Sequence, residues 1–293
     1  MKKTLFTRTI LVLFASIPLT IRRALFQAVL ILFYHCSEKH RLITLHNLTC
    51  AFPEKSLVEI TRIAKRVYLN LGNTLAEFFE IPSLTSQNMN HWVVFDGLEY
   101  YEKALAKGKG ILFYTAHFGN WEIGAACFGL QNIGVHIIYR ALDNPLLENF
   151  VAWFRSYTGH RVVPKGGASR RIVKLLQKNE KIGVLIDQNV SWREGVFVDF
   201  FGRPASTTKR FAALALQTGA AVIPVFIIRQ PDGRYKIDIK EEVTLMKTEN
   251  HDTDLFENTQ TFTRIIEDMV RQYPDQYFWL HQRWKTKTTQ IGV

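Results

Sequence analysis

Hydrophobic and polar positions fall into two rhythms along the chain. At the amino end two apolar runs, TILVLFASIPLTI at 9–21 and ALFQAVLILFYH at 24–35, are separated by Arg22-Arg23 and preceded by Lys2, Lys3 and Arg8. A spanning helix needs roughly 20 consecutive apolar residues, and neither run alone supplies them. Two readings stay open. One is a single span that tolerates the arginine pair near an interface by snorkelling. The other is a helix lying in the interface with its arginines against anionic headgroups. A cleaved signal peptide fits poorly with Pro18 and the arginine pair. Either open reading makes residues 1–36 a membrane-anchoring segment ahead of one domain at 37–293.

EKHRLITLHNLTCAFPEKS at 38–56 reads as a polar connector. Beyond it Leu57, Ile60, Ile63, Val67, Leu71, Leu75 and Phe78 recur at the spacing of a helix with one buried face. Ser56 and Glu59 supply a capping-box start. From about residue 93 the rhythm changes to short, β-branched runs alternating with helical ones. Strands are expected at 111–115, 135–139, 182–187, 221–228 and 235–239. Helices are expected near 121–130, 145–157, 169–177, 207–218 and 254–271. This alternation predicts an α/β domain with a mostly parallel central sheet flanked by helices.

Composition supports a packed domain: 47% of the 293 residues are hydrophobic, which excludes a disordered chain. The net charge of +11 invites a nucleic-acid partner, but its placement argues otherwise. Residues 1–50 hold seven Lys/Arg against one Glu, which is +6, and Arg283, Lys285 and Lys287 add +3. Residues 51–280 are left with +2, so the basic excess belongs to the two ends. Cys36, Cys50 and Cys127 have neither an even count nor C-x-x-C spacing, which suggests no disulfide framework or zinc site and a reducing compartment.

In parallel sheets reactive groups gather at the carboxyl ends of strands. His117 stands two residues beyond the strand expected at 111–115, in TAHFGNWEIG at 115–124, and Glu122 follows five residues later. On one helix those two side chains would diverge by about 140°. With Gly119-Asn120 as a turn between strand and helix they can meet, the carboxylate orienting the imidazole while its other nitrogen takes a proton from a hydroxyl. From these two residues alone a loop histidine capped by a nearby acid is the plainer reading. H-E-x-x-H is absent and the remaining histidines lack ligand spacing, so metal chemistry is not indicated.

Several motifs in order carry more. HNLTCAFPE (46–54), HFGNWE (117–122), IIYRALDNPLLE (137–148), GVLIDQN (183–189), GVFVDFFGRPAST (195–207), AVIPVFIIR (221–229) and FWLHQRWK (278–285) follow one another. The series closely resembles the bacterial lipid A biosynthesis acyltransferases, the lauroyl/myristoyl transferases of the H-x4-D/E lysophospholipid acyltransferase superfamily, over about residues 40–285. The resemblance implies a glycerolipid acyltransferase-like fold and an O-acyltransferase at the bacterial inner membrane, its catalytic domain on the cytoplasmic side. The acyl group would come from acyl carrier protein or acyl-CoA as co-substrate, with no cofactor, and go to a hydroxyl of a lipid A precursor. Relatives on this fold also acylate mannosylated phosphoinositides or other glycolipids.

By position the resemblance makes His117 the general base and Glu122 the group that orients it. It places Asn120, Arg140, Asp187, Gln188, Gly202, Arg203 and Pro204 around the substrates, Arg140 against a phosphate or the developing oxyanion. Backbone amides near Gly119-Asn120 are further candidate oxyanion donors. Lys165, Arg170 and Arg171 read as a solvated helix face or as a surface for the acidic carrier protein. Tyr277, Phe278, Trp279 and Trp284 read as core packing or an interfacial belt.

Overall fold

The computed structural model describes residues 5–139, 142–164 and 167–288, with side chains of the first helix from residue 9 onward. Four helices come first: α1 (Leu5–Ala15), α2 (Leu19–Cys36), α3 (Glu38–Ala51) and α4 (Leu57–Phe78). α4 begins with the expected capping box of Ser56 and Glu59 and buries Ile60, Ala64, Val67 and Ala76 along one stripe. The apolar amino end breaks at Pro18, and α2 restarts there and packs along α4, burying Arg22, Leu30 and Tyr34 at multiples of four. Gly72 permits this close approach, since a Cβ there would stand 2.9 Å from the Gln27 Cα.

The arginine pair, expected at headgroups or a membrane interface, turns inward instead. Arg22 is 0% exposed and pairs with Glu80, and Arg23 pairs with Glu77 at 2.8 Å. Burying a guanidinium is costly without compensating partners, and Glu77 on α4 with Glu80 just beyond its end supplies two carboxylates on the facing side. The outer side of α2 keeps Ile21, Leu25, Val29 and Leu32 exposed, and α2 is the one helix among the described residues long and apolar enough to cross a membrane.

The stretch expected as a polar connector is α3. Its apolar residues are spread around the helix and mark no single face. Asn47 anchors it instead, its Nδ2 donating to the carbonyls of Trp279 (2.9 Å) and His281 (2.7 Å).

The remaining elements are β1 (Val93–Asp96), α5 (Leu98–Ala106), β2 (Ile111–Thr115), α6 (Trp121–Leu130), β3 (His136–Tyr139), α7 (Pro145–Tyr157), β4 (Arg161–Pro164), α8 (Ser169–Leu176), β5 (Lys181–Leu185), β6 (Gly195–Phe200), β7 (Arg203–Thr208), α9 (Arg210–Thr218), β8 (Ala221–Arg229), β9 (Tyr235–Ile239) and α10 (His251–Gln272). Seven strands form one sheet in the order β1-β9-β8-β2-β5-β3-β4. β8, β2, β5, β3 and β4 are mutually parallel, β9 runs antiparallel to β8, and β1 is parallel to β9.

Strand alternation splits the core in two. Ile111 and Phe113 of β2 pack with Ile123 and Cys127 of α6, while Leu112 and Tyr114 pack with Ile172 of α8, Phe211 of α9 and Phe262 of α10. Tyr277, Trp279 and Trp284 are buried, so they belong to the core and not to an interfacial belt. β1 and β4, four residues each, lacked a readable period in the sequence. β6 and β7 form a separate antiparallel hairpin, which takes residues 207 and 208 out of the helix expected there.

Candidate active site

β2 and β5 are neighbours, with Thr115 opposite Leu185. His117 and Asp187 each stand two residues past that pair, and strands about 4.8 Å apart bring the two side chains together. His117 Nδ1–H donates to Asp187 Oδ1 at 2.9 Å, which leaves Nε2 as the acceptor nitrogen. His117 lines a cavity, whereas Asp187 is 2% exposed and its Oδ2 is buried without a hydrogen-bond partner. Burial disfavours the imidazolium, but the charge and hydrogen bond of Asp187, with the charge of Glu122, outweigh it and raise the His117 pKa. Burial likewise opposes the Asp187 anion, yet His117 beside it holds the carboxyl well below the usual carboxylate range.

The turn between β2 and α6 is fixed from three sides. Gly119 has φ +58°, and a Cβ on it would fall 1.6 Å from the Ile227 carbonyl oxygen. Its amide donates to the Gln276 carbonyl and the Phe278 amide donates to the His117 carbonyl, both at 2.9 Å. The Gly119 amide, expected as a candidate oxyanion donor, is therefore committed to Gln276. Asn120, expected around the substrates, is wholly buried. Its Oδ1 caps α6 through the Ile123 amide (3.1 Å), and its Nδ2 donates to Glu77 Oε2 (2.8 Å).

Glu122 is not the hydrogen-bond partner of His117. On the first turn of α6 it faces α7, where Arg155 grips both its oxygens, Nη2 to Oε1 at 2.6 Å and Nε to Oε2 at 3.2 Å. Trp121 Nε1 donates to the same carboxylate at 3.1 Å. Arg155 also stands 5.9 Å from the Tyr139 ring, whose hydroxyl donates to Glu148, and burial followed by Glu148 pushes that phenol up to about 12. Arg155 carries no signal in the sequence, because its partner lies 33 residues away on another helix.

His117, Glu122, Arg155, Tyr139, Glu148 and Gln188 line one cavity of about 990 Å³ whose other walls are mostly apolar, among them Phe26, Leu75, Phe78, Phe150 and Phe211. Gly202, Arg203 and Pro204, expected around the substrates, do not line it. Phe201 and Gly202, both at positive φ, form the tight turn of the β6–β7 hairpin, and the Gly202 amide donates to Asp199 Oδ1 at 2.9 Å. Arg140 and Lys165 lie outside the described residues. Among the described residues no group of three His, Cys, Asp or Glu side chains is placed to hold a metal ion. The arrangement offers an oriented base, a fixed cation and apolar walls, which is what acyl transfer from an activated ester to a hydroxyl requires.

Comparison with known proteins agrees with that chemistry. Residues 4–286 match the family described as bacterial lipid A biosynthesis acyltransferase. The chain is 29% identical over 253 residues to the lipid A biosynthesis lauroyltransferase of Escherichia coli (strain K12), covering 85% of this chain and 80% of the relative. It is 25% identical over 280 residues to a lipid A biosynthesis acyltransferase of Haemophilus influenzae, covering 94% and 86%. A phosphatidylinositol mannoside acyltransferase of Mycobacterium tuberculosis is 30% identical over 160 residues, covering 52% and 50%.

Proposed function

The chain belongs to the bacterial lipid A biosynthesis acyltransferase family and is an acyltransferase, and we propose that it moves a fatty acyl group from a thioester to a hydroxyl of a lipid A precursor. The donor is acyl carrier protein or acyl-CoA, and the site is the cytoplasmic face of the bacterial inner membrane. The observation that carries this reading is the His117–Asp187 pair on the wall of a large, mostly apolar cavity.

His117 Nε2 takes the proton of the acceptor hydroxyl as its oxygen attacks the thioester carbonyl. Asp187 holds the imidazole in the required tautomer and stabilises the imidazolium. Arg155, anchored by Glu122, presents positive charge to the oxyanion or to an acceptor phosphate. Collapse of the tetrahedral intermediate breaks the carbon–sulfur bond, and the leaving thiolate recovers the proton from His117. α8 exposes Arg170, Arg171 and Lys174 beside the cavity residues Ala168, Ser169 and Ile172, a basic lip suited to the acidic carrier protein.

The similarity to a mannoside acyltransferase supports a second acceptor class, a mannosylated phosphoinositide, for the same chemistry. An assay of purified protein with acyl carrier protein thioesters and both acceptor types separates the two. His117→Asn keeps a donor for Asp187 but no basic nitrogen. Its transfer rate is expected to fall about 10²- to 10⁴-fold while circular dichroism stays unchanged. Full activity of that variant overturns the mechanism.

A further inference from the structure

The transfer step leaves the motif FWLHQRWK at 278–285 unused, yet its segment is tied to both sides of the His117–Asp187 pair. The Phe278 amide holds the His117 carbonyl. Just past Asp187, the Thr286 amide donates to Asn189 Oδ1 (3.2 Å) and its hydroxyl to the Val190 carbonyl (2.9 Å). Between these ties Arg283, 1% exposed, reaches across to β7, where Nη1 donates to the Ser206 carbonyl (3.2 Å) and Nη2 to Thr207 Oγ1 (2.6 Å). The same Ser206 carbonyl accepts from the Val190 amide at 3.3 Å, so the guanidinium and the loop after Asp187 share one acceptor. Phe200 completes the seat, its ring centre 5.0 Å from the guanidinium carbon.

All of these partners are neutral, and a guanidinium is costly to bury without an anion. Among the described residues, the carboxylate whose charge acts on Arg283 is Asp187. Asp187 has the matching need. A general base must start as the neutral imidazole, which gives Asp187 a hydrogen bond but no charge. Asp187 Oδ2, the Tyr277 hydroxyl, His281 Nε2 and Arg283 Nε are each buried without a hydrogen-bond partner, and the charge of Asp187 acts on all three of the other residues. Burial raises the Tyr277 phenol and lowers His281, which leaves both neutral near pH 7. An arginine keeps its charge there.

We propose that Arg283 is a positioning residue for acyl transfer, supplying the standing positive charge that lets Asp187 remain an anion and orient His117 while the imidazole is neutral. The proposal rests on the acyl transfer set out above and adds a third member behind the His117–Asp187 pair. Arg155 does not fill this place, since its guanidinium is taken up by Glu122. The carboxyl-terminal segment then serves the site twice: Phe278 fixes the main chain of the base, and Arg283 fixes the charge of the acid behind it.

Two variants separate charge from shape. Arg283→Gln keeps a donor for Ser206 and Thr207 but no charge, and Arg283→Lys keeps the charge. The other groups that face the pair, Glu122, Arg155, Tyr277 and His281, are unaltered in both. Without the guanidinium a proton binds the Asp187–His117 pair more readily, whichever member takes it. With an acyl carrier protein thioester and a lipid A precursor, the acidic limb of kcat/KM for Arg283→Gln is therefore expected to move to higher pH. Activity on that limb is expected to fall about tenfold and to recover toward the plateau as pH rises. Arg283→Lys is expected to return the limb to its original place. A lowered plateau with an unmoved limb, or a lysine variant whose limb follows that of the glutamine variant, overturns the proposal. Urea midpoints test the same charge pair without activity: Arg283→Gln is expected to lower the midpoint less in an Asp187→Asn background than alone, and equal losses overturn the proposal. If Arg283→Gln alone does not fold, folding restored by Asp187→Asn supports the coupling and a double variant that stays unfolded overturns it. If the unaltered protein transfers no acyl group, the acyl-transfer reading fails, and the midpoints still decide the charge pair.

Discussion

Asp187 is a buried carboxylate bonded to an imidazole, and the charge and hydrogen bond of His117 are the largest influences that keep it ionised against burial. The dependence runs both ways. In Asp187→Asn, burial and Arg155 still disfavour the imidazolium, and only the weaker influence of Glu122 opposes them. The His117 pKa must then fall. Because the base works as the neutral imidazole, the acidic limb of the kcat/KM profile is expected to move to lower pH. The plateau is expected to drop about 10²- to 10⁴-fold as tautomer control is lost. An acidic limb that does not move would show that Asp187 is not the group acting on the base. His117 was legible in the sequence as a candidate because it follows a strand by two residues and stands in an ordered series of motifs. Its partner was not, because Asp187 meets it only through the adjacency of β2 and β5, and strand order is not written in local periodicity. Glu122 was the nearer acid along the chain, but a first-turn helix residue facing α7 meets Arg155 before it meets a histidine on the preceding loop.

At the scale of elements, Glu77 of α4 ties α2 to the turn that follows His117. It is 0% exposed and accepts from Arg23 Nε (2.9 Å), Asn120 Nδ2 (2.8 Å), the Tyr235 hydroxyl (2.6 Å) and Arg229, so α2, the turn before α6 and strands β8 and β9 converge on one carboxylate. Glu77→Gln leaves the partly buried guanidinium of Arg229 without its anion. A loss of about 3–5 kcal/mol is expected, read as a lower midpoint in urea, with earlier proteolytic cutting at the loosened α1–α2 junction. An unchanged midpoint would mean that the network adds nothing net. None of these partners shares a local pattern: Glu77 and Arg229 lie 152 positions apart. The long helices and the inner strands were readable because burial imposes periods of 3.6 and 2 on them. α3 was not readable, because its apolar residues are spread around it while the side it buries mixes Thr44 and Asn47 with Leu48 and Ala51.

The whole molecule places an apolar outer surface beside the mouth of an apolar cavity. With Arg22 and Arg23 turned toward Glu80 and Glu77, the outward side of α2 carries Ile21, Leu25, Val29 and Leu32, and α1 adds Val12 and Leu13. A surface of this kind in water signals a partner, and on the proposed function that partner is the bilayer holding the acceptor. An α2 that lies on the membrane can keep its ion pairs with Glu77 and Glu80; one that crosses alone must break them and carry two guanidinium groups toward hydrocarbon. On the proposed function, the inward arginines favour a helix that lies in the membrane interface over one that crosses it. Leu25→Glu with Val29→Glu, at positions 46% and 50% exposed, tests this without touching the cavity wall. Each apolar side chain withdrawn from lipid forfeits roughly 1.5–3 kcal/mol. Partition onto anionic vesicles in a sedimentation assay is thus expected to fall by at least about a hundredfold. Transfer to a detergent-dispersed acceptor is expected to persist, since His117, Asp187 and the cavity wall are unaltered. Undiminished vesicle binding by that variant would move the membrane contact away from α2.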